Sequence, residues 1–222
     1  PSKQSDVLFL GDSYSNIYSL EKMGWGESAG LTELISAGIK KPLDRILMND
    51  VGAYATRQEL ANELKKGWDR LSGKKVVIWQ FAARELSVGD WKLLDLTLNK
   101  DFISKFYTPE YDSSNTVTGT VRDIASVPIP GTVPYKDHVI SVYISDLKKI
   151  GSNNELGQSV VYMLSMENNV WTKAARLRSG DKVKLKLYNW EQYSEKYGSI
   201  NRSELPDDNL SLEIPCWGEL IQ

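Results

Sequence analysis

The apolar pattern of this 222-residue chain changes period once, and that change constrains the fold more than any other feature. Up to about residue 112, short unbroken apolar runs alternate with stretches of helical spacing; beyond it the pattern is that of strands. Val7 to Leu10 is an apolar run closed by Gly11-Asp12-Ser13, which predicts a strand covered on both faces of a sheet. Ser28 to Gly38 carries Ala29, Leu31, Leu34 and Ile35 at helical spacing and predicts a helix stopping at the glycine. Arg45 to Met48 supplies a second run, ending at Asn49-Asp50-Val51-Gly52. A periodic helix over Thr56 to Arg70 follows, and Lys74 to Phe81 gives a third strand. Such alternation with short turns predicts right-handed crossovers and a parallel α/β sheet, whose ligands gather at the strand C-termini.

Asp101 to Thr118 mixes Thr, Pro, Tyr, Asp, Ser and Asn without a period and reads as a linker or the tail of the first domain. The expected division is an α/β domain over 1–112 and a small all-β domain over 113–222. Five strands are expected in the second part: Val117 to Val127, His138 to Leu147, Ser159 to Met166, Lys182 to Tyr188 and Leu210 to Ile214. In Lys182-Val183-Lys184-Leu185-Lys186-Leu187 strict alternation marks one wet and one buried face. Five short strands in about a hundred residues suggest an OB-like barrel or a compact sandwich.

The bulk properties exclude several classes. A composition of 41% hydrophobic and 25% charged residues is that of an ordinary globular chain. Net charge is −2 with both signs interleaved, which leaves no electrostatic footprint for nucleic acid. No apolar run approaches the roughly twenty residues of a membrane helix. The single cysteine, Cys216, cannot form an intrachain disulfide or a multi-cysteine metal site, and no cofactor or metal is expected.

A serine set directly after a buried parallel strand, on a turn into a helix, projects its hydroxyl where the ligand crevice of the sheet lies. Ser13 holds that place, and backbone N–H groups at a helix start can stabilise an oxyanion. Gly-Asp-Ser also fits a turn in which Asp12 or Ser13 merely caps the next helix. Hydroxyl nucleophiles need a base, and the sequence holds one histidine, His138. Asp137 and His138 are adjacent on an expected strand and point to opposite faces, so the aspartate is not expected to orient the imidazole.

Several segments together resemble the SGNH-hydrolase superfamily, in particular its alginate O-acetyltransferase-like group. They are Val7 to Asn16, Met23-Gly24-Trp25-Gly26, Asn49 to Arg57 and Val76 to Leu86, with Asn201 to Leu205 and Pro215 to Glu219 resembling the C-terminal portion of that group. The resemblance covers most of the chain. It implies an SGNH-type fold, an exported or periplasmic setting, and transfer or hydrolysis of acetyl groups on a polysaccharide, with an acyl donor as second partner. It places Ser13 as nucleophile and puts Gly52 and Gln80 where oxyanion donors stand, although asparagine is more usual than Gln80. Gly52 equally fits a turn, and Gln80 equally fits a role in satisfying backbone groups. Arg84 fits either substrate binding or a structural salt bridge.

In that group the catalytic pair lies in an Asp-x-His motif upstream of the serine, whereas this sequence has twelve residues before Ser13. The expectation is therefore weak activity for this chain. The rival reading is a non-catalytic glycan-binding or scaffold module. Tyr162, Trp171, Tyr188, Trp190 and Tyr193 are its candidate aromatic contacts, with core packing as the commoner fate of such residues.

Overall fold

The computed structural model describes residues 1–19, 25–49, 52–152 and 154–221, with Asp208 described by its backbone alone. Met23, Gly24, Asp50 and Val51, which belong to the resemblance above, lie outside the described residues. The chain divides into two compact units, Pro1–Phe102 and Ile103–Gln222, each with its own core.

In the first unit the described elements run β1 (Val7–Gly11), α1 (Ser13–Asn16), α2 (Leu31–Ile39), β2 (Asp44–Leu47), α3 (Gly52–Lys65), β3 (Val76–Gln80) and α4 (Glu85–Val88). The strands form a parallel sheet in the order β2-β1-β3. Central β1 is buried at every position, as its unbroken apolar run requires. Leu8 and Leu10 face Leu60 and Leu64 of α3, while Val7 and Phe9 pack with Leu43, Leu47 and Ile35 of α2, so one helix covers each face. Gly11 pairs with Leu47 on one side and Gln80 on the other. The three strands thus end level, and the segments that follow them share one edge.

Two helices depart from the pattern at their ends. Helix α2 runs through Gly38 and stops at Lys40, whose φ of 55° is left-handed; Lys40 N–H reaches Ala37 O and Lys41 N–H reaches Ser36 O. That pair of bonds is a Schellman closure, which here sets a lysine where glycine is usual. Helix α3 begins four residues before Thr56 and ends at Lys65, five residues before Arg70. Gly67, at φ 78°, allows Trp68 N–H to bond Glu63 O and closes the helix. Arg70 then turns inward. Its fork spans Asp44 (2.5 and 3.2 Å) and Glu63 (2.6 and 2.7 Å), and Lys74 adds a second cation 3.0 Å from Asp44. These side chains are nearly all buried, at the end of the sheet remote from the strand C-termini.

The second unit holds β4 (Ser114–Ile124), β5 (His138–Lys149), β6 (Glu155–Glu167), β7 (Val170–Trp171), β8 (Lys182–Asn189), α5 (Glu191–Tyr197), β9 (Arg202–Ser203), α6 (Asp208–Ser211) and β10 (Cys216–Leu220). Among the described residues five strands close a barrel in the order β4-β5-β6-β10-β8 and back to β4, with β6 and β10 parallel and the other neighbours antiparallel. Strands β7 and β9 add short edges to β6 and β5. The alternation read in β8 is realised: Val183, Leu185 and Leu187 point into the core and the lysines point out. Residues 103–112 lie with this barrel, since Tyr107 N–H bonds Gln158 O at 2.7 Å and Phe106 stacks on Tyr143.

The fifth strand is not Leu210 to Ile214. That stretch starts with α6, because Asp207 accepts Asn209 N–H and caps a short helix, and Pro215 cannot donate to a ladder. The strand starts at Cys216 instead. Among the described residues no helix is long and apolar enough to cross a membrane.

Candidate active site at the strand C-termini

Asp12 organises the turn after β1. It is the N-cap of α1, with Oδ1 accepting Tyr14 N–H at 3.0 Å, and its Oδ2 accepts Ala82 N–H at 2.9 Å from the segment after β3. Only 5% exposed, it uses both oxygens on backbone donors. The capping role that the tripeptide left open thus falls to Asp12 rather than Ser13. Ser13 is the first residue of α1 and half-buried, and no described residue shares a hydrogen bond with its hydroxyl.

Gln80 ends β3 level with Gly11. Its Oε1 accepts the Asp12 N–H at 3.2 Å and the Ser15 hydroxyl at 2.5 Å. Because a backbone N–H can only donate, the oxygen of the amide must face Asp12, which leaves the Nε2 donors for another acceptor. Gln80 therefore satisfies the neighbouring backbone with one half of its amide and keeps its donating half.

Gly52 opens α3 with φ 53°, and as the first helical residue its N–H has no intrahelical acceptor. The Glu85 carboxylate packs against it. A Cβ on Gly52 would stand 2.6 Å from Glu85 Cδ, and Glu85 Oε2 accepts the adjoining Ala53 N–H at 3.2 Å. Arg84, by contrast, points outward: its side chain is 69% exposed and its Nε lies 3.7 Å from Glu85 Oε1. Asn16, fully buried on α1, donates to Asn49 Oδ1 at 2.8 Å, leaving its own Oδ1 buried without a partner.

Three ties therefore join the segments that follow the strands: Asp12 with Gln80 and Ala82, Asn16 with Asn49, and Ala53 with Glu85. They bring the Ser13 turn and Gln80 into one hydrogen-bonded group and fasten the Gly52 turn to the segment after β3. Ser15, Asn16 and Glu85 are the members that sequence reasoning missed. Ser15 and Asn16 carried a signal, since a polar pair just past the Gly11-Asp12-Ser13 turn faces back onto it within one helical turn. Glu85 carried none beyond its place in the Ala82-Ala83-Arg84-Glu85 run.

In the second unit His138 is 2% exposed. Ser165 donates to His138 O at 3.2 Å, so its oxygen takes the Nδ1 proton at 2.7 Å, and Nε2 accepts from Ser203 Oγ at 3.1 Å. Burial pulls the imidazole pKa down to about 4. Asp137 accepts from Asn168 N–H and does not orient the ring. The Cys216 thiol, also buried, is pushed up to about 12.

The aromatic residues of this unit mostly serve packing. Trp217 stacks on Tyr197 at 4.2 Å and on Tyr193 at 5.4 Å, Trp190 meets Tyr162 edge-on, and Arg202 lies 4.4 Å over Tyr162. Tyr162, Trp190 and Trp217 are buried, Tyr188 and Tyr193 half-buried, and Trp171 is exposed with its indole N–H on Pro128 O. A groove of about 860 Å³ opens elsewhere on the barrel, beside Lys105, Thr118, Lys182 and Lys184. Among the described residues no cluster of His, Cys, Asp and Glu could hold a metal ion. The chain matches no family model, no curated protein and no solved structure.

Proposed function

We propose that the first unit is an SGNH-type serine acyltransferase or esterase acting on acetyl groups of an exported polysaccharide, with Ser13 as nucleophile. The observation that carries the reading is a serine hydroxyl without a hydrogen-bond partner among the described residues, at the start of a helix on the level carboxyl edge of a parallel sheet. Donors suited to a developing oxyanion accompany it on the same edge: the Nε2 group of Gln80 and the N–H of Gly52, which no carbonyl within the helix can accept. In the proposed reaction Ser13 Oγ attacks the acyl carbonyl, the negative charge on the carbonyl oxygen is met by these donors, and collapse expels the alcohol or donor group to leave an acyl-serine. A sugar hydroxyl or water then takes the acyl group. Arg84, exposed beside the edge, is the candidate to hold an anionic part of the donor or acceptor.

The base is the missing element. His138 is neutral and weakly basic in its buried site, so the reading assigns proton transfer to an Asp-x-His pair of the kind that precedes the serine in the resembled group. The five-stranded barrel, in the manner of OB-like barrels, would hold the glycan. Aryl acetate hydrolysis tests this. The present chain is expected to be slow, a chain extended at its N-terminus by such a segment faster by on the order of 10²–10⁴, and Ser13→Ala inactive in both. Equal rates with and without the extension, or an unaffected Ser13→Ala variant, would overturn it.

A second reading, a glycan-binding module without catalysis, is favoured by the groove at Lys105, Lys182 and Lys184. Oligosaccharide binding that Ser13→Ala leaves intact, with no acetyl transfer by the extended chain, is the outcome that selects it.

A further inference from the structure

We infer that Glu85 is a positioning residue, which fixes the backbone of Gly52 and Ala53 at the reacting edge; the inference rests on the reading of Ser13 as nucleophile and Gly52 as oxyanion donor. A glutamate normally keeps its charge in water, because burial without good partners is costly. Glu85 instead is 9% exposed and reaches across from the segment after β3 to the first turn of α3. There Oε2 accepts the Ala53 N–H at 3.2 Å, one of the helix-start donors that no carbonyl within the helix can satisfy. The anion also lies at the positive end of the 14-residue helix dipole.

The site is shaped around the carboxylate on two sides. At Gly52 a Cβ would stand 2.6 Å from Cδ, and at Gly89 a Cβ would stand 3.0 Å from Oε2. The backbone of Glu85 is itself held, with its carbonyl accepting Gly89 N–H at 2.9 Å and the Trp91 indole N–H at 2.8 Å. An ordinary cap comes from the residue just before the helix. This one comes from 32 residues further along and joins the ends of two strands. The carboxylate occupies the place that a side chain on residue 52 would take, so it braces the left-handed turn from the Cβ side while the Gly52 N–H stays outside the contact.

The test combines amide exchange on the present chain with the rate at which a fluorophosphonate labels Ser13 when an Asp-x-His segment of the kind the proposed function calls for is joined to its N-terminus. Glu85→Ala and Glu85→Asp, the latter one methylene too short, are expected to speed exchange at Ala53, whose N–H the carboxylate holds, by tenfold or more and to slow labelling by tenfold or more. Glu85→Gln, which keeps an acceptor at the same reach, is expected to retain labelling within about threefold. Exchange and labelling in both Glu85→Ala and Glu85→Asp equal to wild type would overturn the inference, as would Glu85→Gln behaving like Glu85→Ala. Wild-type protein that takes no label sinks the parent reading, and the exchange measurement then still decides whether Glu85 fixes this turn.

Discussion

At the scale of single residues, the carboxylate of Asp12 does more for the site than its neighbour's hydroxyl reveals. It caps α1 and binds the segment after β3, so Asp12→Ala removes two part-buried hydrogen bonds. The expected cost is about 2 kcal/mol, with Asp12→Asn cheaper because an amide oxygen still accepts one of them; urea unfolding of the three proteins checks the order. His138 makes the second residue-scale prediction. Its folded pKa of about 4 lies below the ordinary 6.5, so between those values the unfolded chain binds more protons. Stability is therefore full above pH 6.5 and declines as pH falls toward 4, by about 2–3 kcal/mol, with no further loss from this group below that. Unfolding midpoints at pH 7 and pH 4.5 should converge in His138→Gln. The place of Ser13 between β1 and α1 was legible in the sequence because strand, turn and helix are contiguous. That of Glu85 was not, since its contact with Gly52 depends on how two crossovers set β3 beside β1.

At the scale of elements, strands were easier to read than their ends. The period-2 pattern of β8 and the apolar run of β1 reported burial directly, because burial is what writes those patterns. Helix ends follow backbone closure, which side-chain spacing does not record: α2 passes Gly38 and closes on Lys40, and α6 replaces the start of the expected fifth strand. Holding lysine at φ 55° is costly, and glycine is not penalised there. Lys40→Gly is accordingly expected to stabilise the first unit by about 0.5–1 kcal/mol, measurable as a rise in its unfolding midpoint. The Arg70 fork works in the other direction. Arg70→Ala would strand Asp44 and Glu63 in a buried site with Lys74 as the remaining cation, at a cost of about 3–5 kcal/mol. A loss below 1 kcal/mol in denaturant titration would show that water reaches the cluster.

At the scale of the whole molecule, the chain forms two compact units with separate cores, a parallel α/β sheet and a closed barrel, which divide between Phe102 and Ile103, ahead of the change of period near residue 112. Residues 103–222 carry all the barrel strands, so that segment alone is expected to unfold in one cooperative transition. The activity proposed for the molecule depends on Ser13 alone among its serines. Ser203 offers a built-in control, since it is hydrogen-bonded to the one histidine of the sequence, which its buried site makes poorly basic. The most direct test is to join an Asp-x-His segment to the N-terminus of this chain, treat the product with a fluorophosphonate and map the adduct by peptide mass. The account predicts one adduct, on Ser13, absent from Ser13→Ala; an adduct on Ser203, or none at all, would contradict it.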